Sequence, residues 1–303
     1  MRISSNQYSA IMNQSLQRNQ ERVNYITQQM ANGDRIQLPS DDPVDSVRLS
    51  RLKREEASIA QYRANISAVQ LRMSKNEGYL SNMVNDMTAG RDLLVWAADG
   101  SNTPEDLNSM VTSLVSLRDS LLYTANTIDQ EGRYVFSGTA TATAPIAYDA
   151  TQPAGSRYSY VGNTADQTVV VGNGITQAAN QNVKGLDKLL NQLDQTIATL
   201  SASGVDANDP AVRGVVSANL KGFDDGIDLL SGKVAVLGGQ QNILKTIDAN
   251  HANVSLSNKN AANDIGALDY GVAATELSGY TMALQTTYKA YAKIGTMSLF
   301  DAI

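Results

Sequence analysis

"LKREEASIAQYRANISAVQLRMSKNEGYLSNMVNDMTAGRDLL", residues 52 to 94, carries an apolar residue at every seventh position: Leu52, Ile59, Ile66, Met73, Leu80, Met87 and Leu94. A second column lies three residues further on, at Tyr62, Val69 and Met83, interrupted by polar Asn76. An α-helix turns once in about 3.6 residues, so steps of three and four keep these side chains on one stripe. Seven matches in 43 residues predict one long helix with a coiled-coil seam. Downstream, Leu107, Leu114, Leu121 and Ile128 repeat the step, with Met110 and Leu117 as their other column. The two series are joined by "DGSNTPEDL", residues 99–107, where Thr103 reads as N-cap and Pro104 as the first helical residue. A link this short predicts an antiparallel helical hairpin.

Upstream of the long helix, "RIQLPSDDPVDSVRL", residues 35–49, sets two aspartates between two prolines. Before it, Met12, Leu16, Val23, Ile26 and Met30 follow a 4-3-4 rhythm once polar Asn19 is counted, and Gly33 stands where a C-terminal cap belongs. Asp42 reads as the N-cap of the long helix, with Pro43 at its first position and Asp45 in its first turn, where carboxylates meet free N–H groups and the positive end of the helix dipole. A catalytic or metal role for Asp41 and Asp42 would need convergent partners, and the neighbouring sequence offers only helix-surface residues. The segment reads as a joint between two helices.

Beyond Ile128 the composition changes. Residues 132–174 are rich in Thr, Tyr, Val and Gly, with candidate strands at Tyr134–Ser137, Arg157–Val161 and Thr168–Val171 between turn residues. Helical rhythm returns at Leu186, Leu190, Leu193, Ile197 and Leu200, and again at Val216, Leu220, Phe223, Ile227 and Leu230 after the Asp209-Pro210 start signal. After "LGGQQ" the seam is weaker, carried by Ile243, Ile247 and Val254, then by Leu277, Leu284 and Tyr291 at sevens with Thr281 and Tyr288 between. The predicted fold class is mainly α: a long antiparallel helical rod or coiled coil built from both chain ends, with a small inserted β module. The two terminal helices are thin and Ala-rich, so each needs a partner to stay folded. The economical arrangement sets the Met12–Met30 seam against the Leu277–Tyr291 seam and buries the remainder against neighbouring molecules. A monomeric bundle is the simpler alternative.

Composition narrows the function. A net charge of −6 over 303 residues, with no cluster of Lys and Arg, argues against nucleic acid as a partner. No apolar run approaches the ~20 residues needed to span a bilayer, so membrane insertion is not expected. The start "MRISSNQYSAIMNQSLQ" has no apolar h-region, so no cleavable secretory signal is expected. With no cysteine, disulfides and thiolate sites are excluded. His251, the only histidine, lies in "DANHANV" with no carboxylate at a convincing spacing, and reads as a solvated or interface residue. Trp96 is expected to pack near the hairpin turn. Met30, Met73, Met83 and Met87 sit at seam positions, where thioethers fill uneven gaps. "FDDGID", residues 223–228, lacks the later ligands of a calcium loop. No catalytic, cofactor-binding or metal residues are expected, and no enzyme activity.

The ordered set "MRISSNQ" at the start, "NGDRIQLPSDDPV" at 32–44, "GRYVFSGT" at 132–139 and "MSLF" at 297–300 resembles the axial proteins of the bacterial flagellum. The Pro-flanked Ser40-Asp41-Asp42-Pro43 and the Met297–Phe300 ending are more similar to the hook-associated junction proteins; a divergent or minor flagellin is the second reading. The resemblance implies a structural subunit forming a ring between hook and filament. It also implies a division of the chain. Residues 1–40 and 270–303 would form the inner terminal coiled-coil domain, residues 41–131 and 179–269 the two halves of a helical rod, and residues 132–178 a β-rich outer module. Implied partners are further copies of the chain, the companion junction protein, flagellin, and a cytoplasmic export chaperone with the flagellar type III export apparatus. The implied location is the extracellular flagellum, and no cofactor is implied.

Overall fold

Apolar stripes need facing surfaces, and a computed structural model describing residues 2–296 shows where each stripe finds one. The "MSLF" ending lies outside the described residues. In chain order the elements are α1 (Arg2–Asn32), α2 (Pro43–Ala97), α3 (Pro104–Ala125), β1 (Ile146–Tyr148), β2 (Tyr158–Tyr160), β3 (Thr168–Gly172), β4 (Ile175–Ala178), α4 (Leu186–Leu200), α5 (Pro210–Gly266) and α6 (Tyr270–Thr296). The fold is mainly helical with a small antiparallel β module, as the seams predict. It divides into two units, residues 59–251 and residues 1–58 with 252–303, and α2 and α5 each contribute to both.

In the 59–251 unit the α2 column is sealed: Ile59, Ile66, Met73, Leu80, Met87 and Leu94 are all buried. The second column is buried at Val69, Asn76 and Met83, and ends at Gly90. A Cβ at Gly90 would strike Leu117 of α3 and lie 2.9 Å from the Phe223 ring of α5, so glycine lets both helices close on α2. α3 returns antiparallel to α2, with Ser120 donating to Asp86 at 2.8 Å and Leu117 opposite Gly90. It starts with a capping box, in which Thr103 and Asp106 satisfy each other's backbone N–H groups and Pro104 fills the first turn. α5 also runs antiparallel to α2, tied by Arg91–Asp224 at 2.6 Å, Gln241–Glu77 at 2.8 Å and Arg63–Asp248 at 2.8 Å. Asp209 Oδ1 accepts from Ala211 N at 2.8 Å at the start of α5.

Five expected seam residues are exposed: Ile128, Ile243 and Val254, and Tyr288 and Tyr291 of α6. Leu107, Leu114 and Leu121 are buried, but Ile128 is exposed, because α3 ends at Ala125 with Asn126 as its C-cap and the seven-step loses its helix. In α5 the buried column is Val216, Phe223, Leu230, Leu237 and Leu244, which leaves Ile243 and Val254 exposed. Gly238-Gly239 does not break the helix; burial of Leu237 and Leu244 on either side offsets the ~1 kcal/mol each glycine costs.

The β module consists of two two-stranded antiparallel sheets, β1 with β2 and β3 with β4. In the first, Ala147 faces Ser159; the second has an irregularity between Val170 and Gly172. The β2 and β3 stretches coincide with two expected strands. The expected strand at Tyr134–Ser137 makes only isolated bridges, because Tyr134 N bonds Thr141 O and Val135 N bonds Thr127 O in turns. β1 and β4 escape the sequence pattern, being three and four residues long with no apolar alternation.

In the other unit α1 packs on α6, with Ile26, Ala273 and Leu284 buried between them. The two helices are antiparallel, since the end of α1 and the start of α6 meet at the Asp34–Ala267 bridge. In the same unit Leu49 of α2 contacts Gly266 of α5, and Ser255 donates to Glu56 at 2.6 Å.

Candidate assembly interface

The joint is built from its first glycine. Gly33, at φ 75°, turns the chain out of α1 in the left-handed region, and its N–H bonds Gln29 O at 2.8 Å. That turn brings residues 33–35 alongside 266–268: Leu268 N donates to Gly33 O at 2.9 Å and Arg35 N to Gly266 O at 2.8 Å. The Arg35 guanidinium then spans two opposite helix ends. Its Nε and Nη2 reach Ile265 O at 3.2 and 3.0 Å, one of the last carbonyls of α5. Its Nη1 pairs with Asp42 at 3.2 Å and its Nη2 with Asp45 at 2.8 Å, at the start of α2. A cation at a C-terminus and carboxylates at an N-terminus both oppose the helix dipoles favourably. Asp42 Oδ1 accepts from Asp45 N at 3.1 Å, which, with Arg35 beside it, holds the Asp42 carboxyl below the usual range.

Asp41 has a separate task. Its Oδ2 accepts from the Tyr25 hydroxyl at 2.7 Å, from Leu38 N at 2.7 Å and from Gln37 N at 3.0 Å. The Tyr25 hydroxyl is the largest cause lowering the Asp41 carboxyl below its ordinary value. The adjacent aspartates therefore close a turn and cap a helix, one each.

On the terminal helices, Met12, Leu16, Val23 and Met30 are half-buried and Ile26 is buried; on α6, Leu277 is half-buried and Leu284 buried. On α6 the covered positions are 273, 277, 280, 281, 283, 284, 287 and 290, and Tyr288 and Tyr291 are exposed. Ile11 at 60%, Met282 at 65% and Tyr288 at 57% are exposed apolar side chains on this pair. Among the α2 and α3 seam residues, Leu52 is half-buried, and only Ile128 is exposed.

Other singled-out residues find ordinary places. Trp96 is exposed rather than packed at the hairpin turn, and only its carbonyl joins the turn, accepting from Asn102 at 2.7 Å. Asp224 and Asp225 of "FDDGID" are paired with Arg91 and Lys221. Among the described residues no group of three His, Asp or Glu side chains could hold a metal. Two contacts could not be read from the sequence. His251 stacks on Tyr62 with centroids 5.5 Å apart and lies 2.8 Å from Val171 O, anchoring β3 to α5. Asp194 is buried at the α4 seam and holds Arg118 at 3.4 Å, Arg157 at 3.5 Å and Gly155 N at 3.2 Å. Its one legible signal is an aspartate directly after seam residue Leu193.

The bacterial flagellin N-terminal helical region matches residues 3–141. Flagellar hook-associated protein 3 of Escherichia coli is 27% identical over 290 residues, covering 90% of this chain and 90% of that protein. A solved structure from Vibrio parahaemolyticus, assigned as a flagellar hook-associated protein, is 32% identical with a TM-score of 0.68, covering 75% of this chain and all of that one. The flagellar junction protein FlgL of Legionella pneumophila shares the fold, with a TM-score of 0.55 at 15% identity over 66% of this chain and 99% of its own. The mainly helical fold with its small inserted β module is that of the flagellin-like axial proteins of the bacterial flagellum. Within that class, the chain belongs to the flagellar hook-associated protein 3 family. Its named relatives are structural components of the flagellum.

Proposed function

We propose that this chain is the structural subunit of the junction between hook and filament, forming a ring by self-assembly through its terminal helices. One observation carries the reading: among the described residues α1 and α6 bury the apolar side chains of Ile26, Ala273 and Leu284 only, and leave Ile11, Met282, Tyr288 and Tyr291 exposed. Two helices with so thin a shared seam gain their remaining burial from neighbours. On this reading Met12, Leu16, Val23, Ile26, Met30, Leu277, Leu284, Tyr288 and Tyr291 form the assembly seam. Residues 1–40 and 270–303 then make the inner domain, 41–131 and 179–269 the rod, and 132–178 the outer module. The neighbours are the companion junction protein on the hook side and flagellin on the filament side, with an export chaperone and the flagellar export apparatus acting beforehand. The protein works outside the cell as a component of the flagellum. It is not an enzyme and takes no cofactor.

Deleting the gene tests this. Cells should carry hooks without filaments and release flagellin into the medium. Filaments present in normal number would instead make the chain a minor filament subunit.

A further inference from the structure

Asn76 interrupts the second apolar column of α2, and neither the fold nor the assembly role uses it. It is 2% exposed, and its Nδ2 has no hydrogen-bond partner. A buried amide N–H without an acceptor is costly, and a leucine would continue the column. The side chain lines a cavity of about 180 Å³ between α2 and the segment around residues 128–141. One helical face supplies Arg72, Lys75, Asn76 and Tyr79, and Gln167 and Tyr134 close the other side.

We propose that this cavity binds a small carboxylate. Arg72, Lys75 and Asn76 each have N–H groups left unused at its wall. Arg72 spends one N–H on Gln167 Oε1 at 3.1 Å, and no carboxylate lies within ion-pair distance of Arg72 or Lys75 among the described residues. The acid in the wall, Asp129, is occupied by Arg133 Nε at 3.2 Å and by the N–H groups of Glu131 at 2.8 Å and Arg133 at 3.0 Å. Two wall amides are fixed too: Gln167 Nε2 donates to Gly138 O at 2.7 Å and Asn180 Nδ2 to Ala165 O at 3.1 Å. The remaining guanidinium N–H groups, the ammonium and the amide N–H line one space, and an acceptor-only anion satisfies all three. A space of about 180 Å³ has room for several waters or for an acid of a few carbons. The Tyr79 ring and Val135 give its carbon stem an apolar wall.

Titration of the full chain with succinate, followed by ¹H–¹⁵N spectra of side-chain amides, tests the site against chloride and phosphate at equal ionic strength. Succinate should shift the Asn76 amide saturably, and chloride and phosphate should not. Lys75→Gln, at an exposed position, should weaken binding by about tenfold or more. Asn76→Leu should abolish binding while keeping or raising the unfolding temperature. An unshifted Asn76 amide would mean that the cavity holds water only, and an equal response to phosphate would sink the carboxylate assignment. Unchanged affinity in Lys75→Gln would place binding elsewhere and overturn the site.

Discussion

The Arg35 guanidinium joins the start of α2 to Ile265 near the end of α5, 230 residues from Arg35, through groups that stay partly exposed. Exposed pairs are weak singly, so Arg35→Ala should cost about 1 kcal/mol in chemical unfolding. Arg35→Lys should recover only part of it, because one ammonium cannot reach Ile265 O, Asp42 and Asp45 together. A lysine variant as stable as the parent would show that charge alone closes the joint. Asp41 gives a pH dependence of definite sign. Its folded carboxyl lies below the ordinary value of 3.8, so the unfolded chain takes up the proton first. Its contribution is therefore present above pH ~4 and is lost as pH falls through the lowered folded value. Tyr25→Phe removes the largest cause and should move the Asp41 titration, read by carboxyl NMR, back towards 3.8. An unmoved titration would assign the shift to the Gln37 and Leu38 amides instead.

At the scale of elements, the heptad column of α2 carries the most testable weight. Ile66 is 1% exposed, so Ile66→Asp buries a carboxylate with no partner and should cost several kcal/mol or unfold the 59–251 unit. Ser67, one residue on and exposed, is the control, and Ser67→Asp should stay within about 0.5 kcal/mol. Arg63 would be a poor control, since Arg63→Asp would set a carboxylate against Asp248. Equal damage at 66 and 67, measured by urea unfolding, would refute the register. The α2 seam was legible because seven steps reinforce one another. The α5 seam was less so, for Ile243 and Leu244 are adjacent and equally apolar. Only continuity with Phe223, Leu230 and Leu237 selects Leu244. Ile128 misled for the opposite reason: the seven-step continued after Asn126 had ended the helix.

At the scale of the molecule, the terminal pair and the 59–251 unit should differ in stability. The buried core cluster spans Ile66 to Leu244, whereas α1 and α6 bury three apolar residues between them among the described residues. Fixing backbone costs about 1–2 kcal/mol per residue, which so thin a seam does not offset alone. In dilute monomer, amides of α1 and α6 should exchange faster than those of Ile59–Leu94, and the difference should close on assembly. Equal protection in the monomer would show that the terminal pair is stable without neighbours.

The sequence by itself determined whatever depends on residues a few positions apart. The columns at three and four, the caps at Asp42, Thr103 and Asp209, and the change to β composition after Ile128 all follow from local geometry. What the tertiary structure decided was each pairing across distance. Arg35 reaches Ile265, Asn76 opens a donor-lined cavity where a leucine would have closed the column, and Asp194 is buried against two arginines from other segments. β1 and β4 likewise exist only through their partner strands. Periodicity is written along the chain because a helix repeats. A contact between residues far apart leaves no such repeat, since its energy depends on how the elements pack.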